Sequence, residues 1–138
     1  RADSCGMNMG LTICYDLRFP HLYRRLARDG AEMLAIPAAF TFNSGKAHWH
    51  VLLRARAIET GCFVVAAAQC GTHADGRRTY GHALIVSPWG EIMAEAATDD
   101  GNAAAGANDA VIHAALDPQA VAGARKAIPS LGTQPEFS

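Results

Sequence analysis

The sequence predicts an α/β protein, and three observations lead to that expectation. Short, almost wholly apolar segments, "EMLAIP" from Glu32 and "CFVVAAAQC" from Cys62, have the composition of strands covered on both faces. Between and before them lie stretches of helical spacing with recognisable start and stop residues. The two kinds alternate along the chain as strand, helix, strand, helix, strand, the order produced by helices layered on a sheet. At 138 residues the chain is one domain's worth, long enough to bury a sizeable core.

The elements follow in order. The opening "RADSCGMNMG" shows no clear element, and the first strand is expected from Leu11 to Cys14. A helix follows over Pro20 to Asp29, with proline in its first turn and Gly30 as its stop. Leu22, Leu26 and Tyr23 form its apolar stripe, and Arg24, Arg25 and Arg28 face outward as a solvated surface. After the Glu32 strand, "AAFTFNSGK" reads as a loop. A second helix is expected from Ala47 to Thr60, closed by Gly61. Its spacing aligns His48, Leu52, Ala55 and Glu59 on one face and Trp49, Leu53 and Arg56 on another. Beyond the Cys62 strand, "YGHALIVS", "PWG" and "EIMAEA" read as a hairpin. "TDDGNAAAGAND" is a low-complexity connection, "AVIHAALD" a last strand, "PQAVAGARKAI" a short helix, and residues 128–138 an extended tail. No internal repeat is visible.

Composition narrows the function. Half the residues are hydrophobic and 18% are charged, which fits a globular chain and excludes a wholly disordered one. A net charge of −1 gives no electrostatic reason to expect nucleic acid or an anionic membrane as a partner. No apolar run approaches the roughly 20 residues of a membrane helix. No leader is evident, so the expected compartment is the cytoplasm. Cys5, Cys14, Cys62 and Cys70 form no CxxC pair and read as free thiols, at most one of them chemical. His48 and His50 are two apart and diverge on a helix, and without a second ligand cluster no metal site is expected.

The chemistry concentrates in "LTICYDLRFP", residues 11–20. An apolar strand that ends in cysteine and turns at once into a helix has the layout of a nucleophile elbow. That turn exposes the sulfur at the sheet edge and lets the next N–H, that of Tyr15, face a developing oxyanion. A helix N-terminus and the nearby Arg18 favour thiolate over thiol. A buried structural cysteine is the plainer reading, since free cysteine is among the most buried residue types. A thiol nucleophile also needs a base. His48, His50, His82 and Glu59 qualify by type, and spacing selects none of them.

"GLTICYDLRFP" resembles the nucleophile strand of the nitrilase, or carbon–nitrogen hydrolase, superfamily. The resemblance continues through "AIPAAF", "AHWHVLLRARAIETGCFVVAAAQCG", "YGHALIVSPWGEI" and the final "IPS", nearly the whole chain from Gly10. "LLRARAIET" with "AAAQCG" and "YGH" looks most like the branch containing the amidase for deaminated glutathione, with the ω-amidases as close relatives. The resemblance implies an α-β-β-α sandwich, usually dimeric or larger. It also implies a cofactor-free attack by Cys14 on a small amide through a thioester, with the Tyr15 N–H at the oxyanion. Asp16 and Arg18 would brace the elbow. Glu59 would form a structural ion pair with a neighbouring arginine. Phe40, Thr41, Phe42, His48 and Trp49 become candidates for the substrate pocket, each as readily explained by packing or loop support.

Two departures qualify that reading. The family's glutamate base, its lysine and a supporting glutamate lie upstream of the cysteine, whereas residues 1–13 contain neither glutamate nor lysine, and Lys46 and Glu59 sit in the wrong places to replace them. The chain, which starts at Arg1, is therefore expected to be the nucleophile-containing C-terminal part of the domain. His50 also stands where many relatives carry glutamate. Three alternatives stay open: a non-catalytic interaction module, a nitrile hydrolase (disfavoured because those relatives show "CWE" in place of "CYD"), and an unrelated Cys–His hydrolase that requires His48 or His82 beside Cys14.

Overall fold

The computed structural model describes residues 2–4, 6–96 and 109–133. Its elements are β1 (Ala2–Ser4), β2 (Met7–Leu11), a 3-10 turn (Cys14–Arg18), α1 (Pro20–Arg28), β3 (Met33–Ala35), α2 (Phe42–Thr60) and β4 (Phe63–Ala66). There follow β5 (Cys70–Thr72), β6 (Arg78–Tyr80), β7 (Leu84–Val86), β8 (Ile92–Glu95), α3 (Pro118–Ala127) and a last 3-10 turn (Pro129–Leu131). A six-stranded sheet runs β1-β2-β3-β4-β7-β8, and β5 and β6 form a separate two-stranded sheet. The central strands β2, β3 and β4 are parallel, and β1, β7 and β8 add antiparallel edges. The α/β expectation holds.

Register explains the core. Met9, Met33 and Phe63 stand in one row across the parallel strands, and Gly10, Leu34, Val64 and Val86 stand in the next. Successive residues of a strand face opposite sides, so the two rows serve opposite faces of the sheet. Leu34, Val64 and Val86 pack with Leu17, Tyr23, Ala27, Trp49, Leu53 and Ala57 beneath α1 and α2. On the other face Met7, Met33 and Phe63 pack against Val121 of α3. Each large apolar side chain removed from water in this way stabilises the fold by about 1.5–3 kcal/mol. Gly10 fits the first arrangement because a Cβ there would lie 3.1 Å from Leu34 Cδ2 and 3.2 Å from Leu26 Cδ1.

Four expectations are corrected. The opening stretch holds two strands, and β2 ends at Leu11, where the first strand was expected to begin. Helix α2 starts at Phe42, five residues before Ala47. Thr41 stands at its N-cap in extended conformation (φ −60°, ψ 146°), and its hydroxyl meets the Ser44 hydroxyl at 2.7 Å. The polar and glycine residues of "FNSGK" read as a loop, yet Gly45 is buried because Tyr80 of β6 packs directly on it. Residues 110–117 form no strand; Leu116 leans on the Met33 cluster, Val111 is exposed, and no neighbouring strand pairs with them among the described residues.

The arginines of α1 are also not merely solvated. Arg24 Nη2 donates to the carbonyls of Ser130 and Thr133, both at 3.2 Å, and Arg28 Nε to that of Leu131 at 3.2 Å. The start of the expected tail is therefore a 3-10 turn docked on α1, while residues 134–138 lie outside the described residues. The low-complexity connection likewise lies outside them, apart from Asp109. The expected hairpin is present as β7 and β8, closed by Ser87 N–H to Glu91 O at 2.8 Å.

Candidate active site

Backbone pairing continues past the end of β2. Thr12 N–H donates to Ala35 O (3.1 Å) and Cys14 N–H to Pro37 O (2.8 Å), so the parallel ladder carries the cysteine to the carboxyl end of the sheet. In open α/β sheets that edge is where ligands bind. Cys14 there adopts φ +47°, a left-handed conformation that costs a residue with a side chain about 1–3 kcal/mol. Such a corner persists only where its surroundings hold it, and they do so on three sides.

Asp16 closes the turn: its carboxylate Oδ2 accepts from Ile13 N–H at 2.9 Å, and its own N–H donates to Ile13 O at 3.0 Å. Arg56 reaches from α2, buried, and donates through Nε and Nη2 to Leu17 O at 3.0 and 2.8 Å. Its Nη1 donates to Glu59 Oε1 at 2.9 Å, the arginine pair expected for Glu59. Behind the strand the buried Thr12 hydroxyl lies 3.1 Å from Ala35 O and 2.9 Å from Tyr23 Oη, within hydrogen-bond distance of both. Burial pushes the Tyr23 phenol up to about 12, against the opposing hydrogen bond with Thr12.

The Cys14 side chain is half-buried, not sealed in the core. Cys62 differs: it is fully buried, its Sγ is 3.3 Å from Ala31 O, and burial pushes its thiol pKa up despite Thr60 and Arg125. Cys70 is half-buried and free, and Cys5 lies outside the described residues. The Tyr15 N–H sits between the bonded N–H groups of Cys14 and Asp16, at the first turn of a helix where no intrahelical carbonyl is in reach. Arg18 lies beside the corner: Nη1 meets His48 Nδ1 at 3.3 Å, and the guanidinium lies 5.2 Å from the Phe40 ring centroid and 5.5 Å from that of Tyr15.

The five pocket candidates separate. Trp49 is 1% exposed, its Nε1–H donates to His82 O at 2.7 Å, and its ring lies 4.9 Å from that of buried Phe40; both belong to the core. Thr41 and His48 are exposed, and Phe42 is half-buried under the Arg78 guanidinium at 4.2 Å. Among the described residues no histidine hydrogen-bonds the Cys14 thiol, which counts against the Cys–His alternative. His50 and His82 instead converge on one carboxylate oxygen, Glu95 Oε1, at 3.0 and 2.6 Å. Burial raises the Glu95 pKa, but the two histidine hydrogen bonds outweigh it and hold the carboxyl below its ordinary value. Sequence spacing missed this cluster, because its members come from α2, the β6–β7 connection and β8.

Residues 2–126 match the carbon–nitrogen hydrolase family, and the chain belongs to it. Among its relatives, the deaminated glutathione amidase of Synechocystis sp. is 57% identical over 107 residues, which are 78% of this chain and 39% of that protein. The crystal structure of the C. elegans NitFhit protein superposes with a TM-score of 0.79 at 42% identity, covering 91% of this chain and 28% of that one. An amidase from Nesterenkonia sp. AN1, 28% identical with a TM-score of 0.62 over 76% of this chain and 39% of its own, was solved with acrylamide added at its active-site cysteine. The chain thus spans about two fifths of the length of the Synechocystis relative, 39%.

Proposed function

We propose that this chain carries the nucleophile of an amidohydrolase that cleaves a small linear amide, of the deaminated-glutathione or short ω-amide type, to a carboxylic acid and ammonia. The observation supporting this most is the strained, braced corner at Cys14, φ +47° at the carboxyl end of the parallel ladder. The thiolate attacks the amide carbonyl, and the oxygen of the tetrahedral intermediate takes the negative charge beside the Tyr15 N–H. The C–N bond breaks, the nitrogen leaves as ammonia with an added proton, and a thioester remains on Cys14. Water then cleaves the thioester and restores the thiol.

Asp16, Arg56 and Glu59 hold the corner and take no part in bond making. A cytoplasmic homo-oligomer with a small-molecule partner belongs to the same proposal. A second reading, a non-catalytic interaction module, is favoured by one feature: Leu11, Ile13, Tyr15 and Phe19 around the corner are 51–65% exposed. Ammonia release from a panel of short ω-amides separates the two. Release that disappears in Cys14→Ala supports the amidase and release that persists in that variant contradicts it; a folded but silent protein that self-associates through this apolar patch supports the module.

A further inference from the structure

We propose that His50, His82 and Glu95 form a binding site for a divalent transition-metal ion, zinc by chemical type. His50 Nε2 and His82 Nδ1 lie 3.0 and 2.6 Å from Glu95 Oε1, and the three ligand atoms all fall within 4.8 Å of one another. Tetrahedral zinc, with bonds of about 2.0–2.1 Å to nitrogen and oxygen, sets its ligand atoms roughly 3.3 Å apart. To reach that spacing the His50–Glu95 pair would open by about 0.3 Å and the His82–Glu95 pair by about 0.7 Å. Two imidazoles and one carboxylate suit zinc, cobalt or nickel, and not magnesium or calcium, which take oxygen ligands. Three protein ligands leave one position to water.

The surroundings hold the ligands in place. His82 occupies a left-handed conformation, φ +57°, directly after Gly81 at φ +73°, an outlier for a residue with a side chain. Its carbonyl is anchored by the Trp49 indole at 2.7 Å, and its ring stacks on Tyr80 with centroids 4.2 Å apart. The His50 ring meets the same tyrosine edge-on at 5.9 Å. Side-chain exposures of 28%, 17% and 32% leave the cluster half-buried, with a solvent approach for an ion. Because the ligands come from α2, the β6–β7 connection and β8, an ion would tie the outer hairpin to the long helix.

Tag-free, metal-stripped protein titrated with Zn²⁺ by calorimetry tests this, with Co²⁺ absorption reporting the ligand set. The expected result is one ion per chain and a melting temperature that rises by several degrees at saturating zinc. Glu95→Gln and His50→Gln, each checked for native circular dichroism, should weaken binding by at least about tenfold, while Cys14→Ala binds as the parent does. Failure of zinc to saturate the protein would overturn the proposal. So would equal affinity in both cluster variants, or a Co²⁺ spectrum with a thiolate charge-transfer band that vanishes in a cysteine variant.

Discussion

Arg56 decides whether the Cys14 corner keeps its shape. One guanidinium serves two acceptors, Leu17 O behind the corner and Glu59 on its own helix, and it does so while buried. Arg56→Ala leaves a buried carbonyl and a half-buried carboxylate without their donor, at an expected cost of about 2–4 kcal/mol measured by urea unfolding. Arg56→Lys should recover only part of this, because a single ammonium lacks the planar fork that reaches both acceptors. Tyr23 gives a pH signature at the same scale. Its folded-state pKa is raised from 10.0 to about 12, so its contribution is complete below pH 10 and is lost as pH rises through 12. Urea midpoints should fall between pH 10 and 12 in the parent and show less of that fall in Tyr23→Phe. Of these residues, Cys14 stood out by its place between an apolar strand and a helix, while Asp16 and the Glu59 ion pair were expected only from the family resemblance, since helical spacing sets Glu59 and Arg56 on different faces. The contacts of Arg56 with Leu17 and of Thr12 with Tyr23 were not legible, because they join residues on different elements.

At the scale of elements, the helices and strands with strong local signals appear where the sequence places them: α1 opens on Pro20, α2 ends at Gly61 in a left-handed C-cap (φ 60°), and β7 and β8 form the hairpin. Misreadings fall where tertiary contact overrides composition. Asn43, Ser44 and Gly45 look like loop, but they form the first turns of α2 because Tyr80 needs a residue without a side chain beneath it. A Cβ at position 45 would overlap Tyr80 Cβ and lie 2.6 Å from its Cγ. Gly45→Ala, stabilising in an ordinary helix, should therefore lower stability here by about 1–3 kcal/mol, read as a drop in thermal midpoint. Unchanged or raised stability would show that α2 and β6 do not pack as described. The last strand failed for the opposite reason: "AVIHAALD" has strand-like alternation, and a strand also needs a neighbour to pair with.

For the whole molecule, the family was legible because several motifs occur in one order, and the match over residues 2–126 agrees. The surroundings of Cys14 were not, since Arg18, His48 and Arg56 come together there only in the folded chain. The helix-covered face of the sheet is closed by α1 and α2. The opposite face is covered by α3 over the Met33 cluster, while Leu11 and Ile13 stay exposed at its carboxyl end. The central claim is that Cys14 forms the bond to substrate. The most direct test is acid-quenched mass spectrometry during turnover of a short ω-amide, with the adduct mapped by proteolysis. The account predicts an acyl group on the peptide that contains Cys14, appearing with ammonia and absent, as ammonia is, from Cys14→Ala. Ammonia release at the parental rate from Cys14→Ala, or an acyl group on Cys70 alone, would contradict it.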